Sequence, residues 1–211
     1  MDVLLAMPEF FNPESIIRFG GITLLLVVIF METGVFFGFF LPGDSLVFVA
    51  GLLSDSDYLH INVFLLWPLL IAAAASGSAL GYWFGKRAGN YLAYRKENFF
   101  YKKKYLDMTR GFYDRYGMWA FILGRFLPII RTFVPIFAGL ADINYNKFIL
   151  FNIIGAMIWI STMLFAGYGL GNMFPSLTDH LESIVVGMIV LSAIPVAAAW
   201  FRQKRLLKGQ G

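Results

Sequence analysis

Apolar positions in this chain do not alternate with polar ones at a helical or strand period; they run on in blocks. Blocks at about 16–31, 62–85, 147–171 and 184–201 are long enough, or nearly so, for a membrane crossing, which takes roughly 20 residues. Two further apolar blocks, about 33–52 and 118–140, are interrupted by Pro42-Gly43 and by Pro128 and Pro135. Proline removes a helical donor and clashes with the preceding turn, so Pro42, Gly43, Pro128 and Pro135 are expected to break both blocks. The pattern predicts a re-entrant helical hairpin at each, with a kinked full crossing as the alternative. Interrupted backbone at membrane depth persists only where it is packed in protein or lines a wet cavity.

The polar positions between the blocks supply a topology. Lys86, Arg87, Arg95, Lys96, Lys102, Lys103, Lys104, Arg110 and Arg115 fall within 86–117, and Arg202, Lys204, Arg205 and Lys208 in the tail. The loops near 54–60 and 172–182 carry Asp55, Asp57, Asp179 and Glu182 and no Lys or Arg. Basic residues mark the cytoplasmic side, so 86–117 and the C-terminal tail are expected inside and the acidic loops outside, and the N-terminus is expected inside as well if 33–52 is a hairpin. That path closes only if 118–140 enters and leaves from the cytoplasm. The segment 33–52 then opens to the other face, and both breaks carry Phe-Leu-Pro, at 40–42 and 126–128. Opposed, related halves with interrupted helices are the layout of inverted-repeat secondary transporters. The stretch 98–117 mixes aromatics with Lys102–Lys104, which suits a helix in the cytoplasmic interface.

Composition narrows the class. The chain is 59% hydrophobic and 14% charged, against about 25% charged in soluble domains, so 1–211 reads as a single all-α polytopic membrane domain. The net charge of +4 reports topology and not nucleic-acid binding. Cysteine is absent, which removes disulfides, thiolate metal sites and cysteine nucleophiles. His60 and His180 are isolated, and no nucleotide loop, zinc pattern or Ser-His-Asp set occurs, so no cofactor or metal is expected. The N-terminus lacks the basic region and small-residue cleavage site of a removable signal.

Four charges sit inside apolar surroundings, where an ionised group costs roughly 2.5–3.5 kcal/mol or more. Arg125 and Arg131 flank Pro128. Two guanidinium forks in a broken helix, beside free backbone N–H groups, would make an anion site suited to phosphate oxygens. Glu32 and Asp44 bracket the first break. Desolvation favours a protonated carboxyl and a nearby arginine an ionised one, a tension that suits proton or cation coupling. Two plainer roles compete: structural ion pairs between the arginines and the acids, and Asp44 as a cap for the helix after Pro42-Gly43. The glycines of the long blocks, such as Gly77, Gly81, Gly85 and Gly155, are expected to permit close helix packing. Trp67, Trp83, Trp119 and Trp159 read as interface anchors or core.

Glu32 with Phe39-Phe40-Leu41-Pro42-Gly43-Asp44, then Phe112-Tyr113-Asp114-Arg115-Tyr116-Gly117, then Gly124-Arg125-Phe126-Leu127-Pro128-Ile129-Ile130-Arg131-Thr132 with Pro135 and Ala138-Gly139, resemble the DedA family. Its eukaryotic relatives carry the SNARE-associated or VTT domain. The resemblance continues through Asn152, Gly155, Ala156 and Trp159; it departs at Gly77-Ser78, where the family pattern often has Gly-Asp. It implies a multi-pass transporter of the bacterial cytoplasmic (inner) membrane that recycles undecaprenyl phosphate between leaflets for envelope synthesis. By the same resemblance Arg125 and Arg131 bind substrate, and Glu32 and Asp44 couple transport to protons or sodium. The partners implied are a polyprenyl phosphate or other phospholipid, the coupling ion and membrane lipids, with room for a homo-oligomer. A non-selective phospholipid scramblase and a proton-coupled small-cation exporter are the alternatives within transport. An undecaprenyl pyrophosphate phosphatase is the alternative among enzymes: its Pro-Gly-x-Ser motif is matched at Pro42–Ser45, but Leu46-Val47 stands where that motif has Arg-Ser.

Overall fold

The computed structural model describes residues 13–35, 38, 41–54, 59, 61–93, 117, 119–174 and 187. The basic stretch 94–116, the acidic residues of both outer loops, the tail 202–211 and, apart from Gly187, the apolar block 184–201 lie outside the described residues. Every regular element among the described residues is helical. In chain order these are α1 (Pro13–Gly34), α2 (Gly43–Leu52), α3 (Val63–Ala93), α4 (Trp119–Leu123), a 3-10 turn (Gly124–Phe126), α5 (Pro128–Leu140) and α6 (Tyr145–Met173).

The long helices follow the uninterrupted blocks. α3 has 31 residues and α6 has 29, about 45 Å each at 1.5 Å per residue. Both are long and apolar enough to cross a membrane. Each begins at an asparagine: Asn62 Oδ1 accepts from Phe64 N at 2.9 Å, and Asn144 Oδ1 from Asn146 N at 3.0 Å and Lys147 N at 3.2 Å. Such caps satisfy amide groups that a helix start leaves without partners. α1 is kinked at Gly21, whose φ of 53° and ψ of −147° are open only to glycine.

Both interrupted blocks do break, at Pro42 and at Pro128. Pro42 precedes α2 with φ −84° and ψ 54°, and Pro128 opens α5 after an extended Leu127 with φ −114° and ψ 109°. Residues before proline are driven out of the helical region by its Cδ, and proline itself is welcome in a first turn. Pro135 does not break the chain as expected. It lies inside α5, which continues through it, buried with its Cβ 3.6 Å from the place a Cβ on Gly81 of α3 would occupy. Packing on α3 holds the helix across the one missing hydrogen bond.

The two broken segments cross over. α1 packs on α3 and α4 on α6, each on the long helix nearest in sequence, but α2 packs on α6 and α5 on α3. The crossings correspond residue by residue. A Cβ on Gly51 would strike Leu164 O of α6, and one on Gly139 would strike Tyr82 O of α3. Gly85 meets Ile136 O as Gly167 meets Phe48 O. A Cβ on Gly89 would fall 2.9 Å from Leu140 O, and one on Gly171 3.0 Å from Leu52 O. Helices this close exclude any side chain at the contact, and small residues let backbones approach. The sequence carries the same correspondence beyond Phe-Leu-Pro: Gly-x-Phe-Leu-Pro at 38–42 and 124–128, Ala-Gly-Leu at 50–52 and 138–140, Ile-Asn at 61–62 and 143–144.

The main core joins α1, α2, α3 and α6 through Leu25, Ile29, Leu46, Val49, Leu66, Leu70, Ile160 and Leu164. A smaller core gathers Tyr82, Phe121, Ala138 and Phe148 under α5. Phe64, Leu65, Trp83, Phe84, Trp119, Leu123 and Leu150 point outward. Exposed apolar side chains on this scale are what a lipid-facing surface requires.

Candidate functional site

All four charged residues singled out in the sequence come together, near the faces where the broken segments meet the long helices. Glu32 ends α1, Asp44 lies in the first turn of α2, Arg125 sits on the 3-10 turn and Arg131 in the first turn of α5. Glu32, Arg125 and Arg131 are 1%, 4% and 2% exposed. Asp44 is more open, with 22% of its side-chain surface accessible.

Arg131 pairs with both acids. Its Nη1 donates to Asp44 Oδ1 at 2.8 Å and its Nη2 to Glu32 Oε1. Its guanidinium carbon lies 4.3 Å from the centre of the Trp159 ring, within cation–π range. The Trp159 Nε1–H also donates to Asp44 Oδ1 at 2.8 Å. Thr132, next on α5, donates from Oγ1 to Glu32 O at 3.1 Å. Arg131, on α5, thus ties α1 and α2 together through charge-assisted bonds, the strong class of hydrogen bond, and reaches α6 through the Trp159 ring. Gly43 makes the geometry possible: a Cβ there would occupy the place of Glu32 Oε2.

Asp44 does not cap α2. The helix has no side-chain cap, and the Ser45 hydroxyl donates to Pro42 O at 2.9 Å. Asp44 is instead turned to Arg131 and Trp159, because a full cation and an indole donor outweigh one backbone amide. Its place in the first turn still sets a negative charge at the positive end of the helix dipole.

Arg125 pairs with neither acid, so the expectation of a structural ion pair fails for it. Its Nη2 donates to Ser78 Oγ at 3.1 Å and to Asn152 Oδ1. Both acceptors are oriented from behind by α3 carbonyls: Ser78 Oγ donates to Ala74 O at 3.0 Å, and Asn152 Nδ2 to Ala75 O at 3.0 Å. The stem of Arg125 crosses α6 at Gly155, where a Cβ would come within 2.9 Å of Cδ. Glu32 Oε2, Arg125 Nη1 and Arg131 Nε are buried without a partner. A cavity of about 10 Å³ lies between the arginines, lined also by Ser78, Gly124, Pro135 and Asn152.

Ser78, Asn152 and Trp159 were not singled out by sequence reasoning as site residues. Trp159, read there as anchor or core, is fully buried at the centre of the network. Trp83 and Trp119 are exposed, as anchors would be, and Trp67 is half-buried with Nε1 donating to Ser161 Oγ at 2.9 Å. Ser78 and Asn152, polar residues among the few on two largely apolar spans, were the available signal for the Arg125 cradle.

Comparison with known proteins identifies the family. The VTT domain matches residues 41–169. Protein DedA of Escherichia coli (strain K12) is 38% identical over 182 residues, which cover 86% of this chain and 83% of that protein. An uncharacterized membrane protein of Mycobacterium leprae is 37% identical over 190 residues, 90% of this chain and 84% of its own. Inner membrane protein YghB of Salmonella typhimurium is 31% identical over 173 residues, 82% of this chain and 76% of its own. No solved structure matches. With the domain spanning more than half of its length and relatives of this closeness along most of it, the chain belongs to the DedA family of VTT-domain membrane proteins.

Proposed function

We propose that this protein carries a lipid phosphate, undecaprenyl phosphate, between the leaflets of a bacterial inner membrane, returning it for envelope synthesis, with proton or sodium coupling. One observation carries the reading: two buried arginines stand at a helix break, one held by two acids and the other by neutral groups alone. An anionic headgroup competing for Arg131 would release Glu32 and Asp44, and cations arriving at the acids would release Arg131. Mutual competition of that kind is how a carrier ties one movement to another.

In this reading the segments about 33–52 and 118–140 are oppositely facing re-entrant hairpins of an inverted repeat. The paired glycine contacts and the recurrence of Gly-x-Phe-Leu-Pro, Ala-Gly-Leu and Ile-Asn support it. Alternating access then follows from moving one half against the other around the arginines. In this reading the protein is a carrier rather than a phosphatase, which is supported by the Ser45 hydroxyl being 3% exposed and donating to Pro42 O.

The test is leaflet exchange of labelled undecaprenyl phosphate by purified protein in liposomes, wild type against Arg131→Ala, under an imposed pH gradient and then a sodium gradient. Gradient-dependent exchange lost in the variant is the expected result. Equal exchange in both proteins, or none in either, would remove the proposal. Equal exchange of phosphatidylcholine would replace it with a non-selective scramblase.

A further inference from the structure

The face of α3 turned away from the bundle carries a charge and a ring that the buried network does not use. Gly81, Gly85 and Gly89 lie where α3 meets α5. Trp83 and Arg87 each fall two residues from those glycines, about 200° around a helix of 3.6 residues per turn. They therefore point outward, and both are exposed, Trp83 to 59%. The helix also sets their depth. From Phe64, exposed near its other end, to Trp83 is about 28 Å at 1.5 Å per residue, close to the hydrocarbon thickness of about 30 Å. Exposed rings at that separation mark the two edges of the apolar layer, where tryptophan settles at headgroup level. Arg87 stands one turn beyond, about 6 Å further out, at the level of the lipid phosphates.

Helical side chains lean toward the N-terminus of their helix, so Arg87 lies back over Trp83. Its guanidinium carbon is 5.8 Å from the ring centre, within cation–π range. Lys86, between the two in sequence, is neutralised: its Nζ lies 2.9 Å from Asp142 Oδ1. Among the described residues no carboxylate pairs with Arg87. A guanidinium held on a ring keeps its planar fork for two oxygens of one phosphate.

We propose that Trp83 and Arg87 form a lateral binding site for an anionic phospholipid of the surrounding bilayer, with the guanidinium on the phosphate and the indole against the top of the acyl chains. Charge complementarity selects this occupant. A zwitterionic headgroup presents the same phosphate but brings its own cation, whereas an anionic one supplies the countercharge that Arg87 lacks. Basic groups at the cytoplasmic edge of spanning helices recognise anionic lipids in this way, and Arg87 opens the basic stretch expected on that side. The lipid is a fixed neighbour of the protein and not its cargo, so the site stands whether or not the transport reading holds.

The test is native mass spectrometry of the full chain in detergent, titrated with phosphatidylglycerol and with phosphatidylcholine. The wild type is expected to bind its first phosphatidylglycerol at least about fivefold more tightly, the value of one basic residue at an anionic surface. Arg87→Gln should bring that ratio close to one. Arg87→Lys keeps the charge that membrane insertion reads but neither the fork nor the stacking, and should lose most of the preference. Trp83→Leu should reduce it with the charge untouched. Lys147→Gln, another exposed base, is the control and should leave it unchanged. No preference in the wild type, or full preference in both Arg87 variants, overturns the proposal. An equal loss in Lys147→Gln also overturns it, since the attraction would then be diffuse and not a site.

Discussion

If Arg131 supports both acids, removing it and removing Glu32 should not add. Arg131→Met leaves Glu32, 1% exposed, without its Oε1 partner when Oε2 already has none. Leaving one member of a buried ion pair uncompensated costs about 3–5 kcal/mol. Asp44 adds little to that sum, because its side chain is 22% accessible and keeps the Trp159 Nε1–H. Glu32→Gln alone is milder. Arg131 retains Asp44, and the amide oxygen still accepts, so the loss is that of one charged hydrogen bond, about 1.5–3 kcal/mol. The double variant has neither charge, and methionine fills most of the arginine stem. It should be more stable than Arg131→Met by itself, so the coupling energy must exceed the about 1.5–3 kcal/mol that Glu32→Gln costs alone. The assay is equilibrium unfolding from mild detergent into SDS micelles, followed by circular dichroism, on the four proteins of the cycle. Losses that sum to within about 0.5 kcal/mol would mean that the two residues do not interact energetically, and the support that Arg131 gives Glu32 would be refuted.

The same assay checks three further expectations. Gly85→Ala and Gly167→Ala each drive a methyl into a backbone carbonyl of the facing helix, so each should cost about 1–3 kcal/mol; a large loss in one and none in the other would break the correspondence of the crossings. Gly43→Ala puts its methyl where Glu32 Oε2 now lies and should cost about 1–3 kcal/mol. That cost should vanish in a Glu32→Ala background, and its persistence there would point to a backbone cause. Trp159→Phe keeps a ring over Arg131 but removes the donor to Asp44, for a loss of about 1.5–3 kcal/mol; unchanged stability would reduce Trp159 to packing.

Local chemistry in the sequence foretold the breaks at Pro42 and Pro128, the run of α3 and α6, and the burial of Glu32, Arg125 and Arg131. Proline sterics and the cost of charge in an apolar block act over a few residues, so they can be read without the fold. The partition of the arginines could not be read. Which acid meets which arginine depends on contacts between residues as far apart in sequence as Glu32 and Arg131, or Asp44 and Trp159. The capping role considered for Asp44 was sound locally and lost to those distant partners. Pro135 misled for a similar reason, since the bed that α3 offers it is absent from its neighbours in sequence. Ala-Gly-Leu and Ile-Asn stood in plain view in both halves, but such short matches acquire meaning only once Gly51 and Gly139 are seen against equivalent carbonyls.

The crossed docking of the short helices has a consequence during synthesis. When α5 leaves the ribosome, its partner α3 already exists. α2 has to wait for α6, which begins roughly ninety residues later; at ~5–20 residues per second that is on the order of ten seconds. For most of that interval Asp44 lacks Arg131, for all of it Trp159, and Gly51 has no helix to rest against. Two segments that occupy equivalent places in the finished protein therefore reach them by unequal routes. It is the earlier one that an insertase or a quality-control protease would meet unprotected.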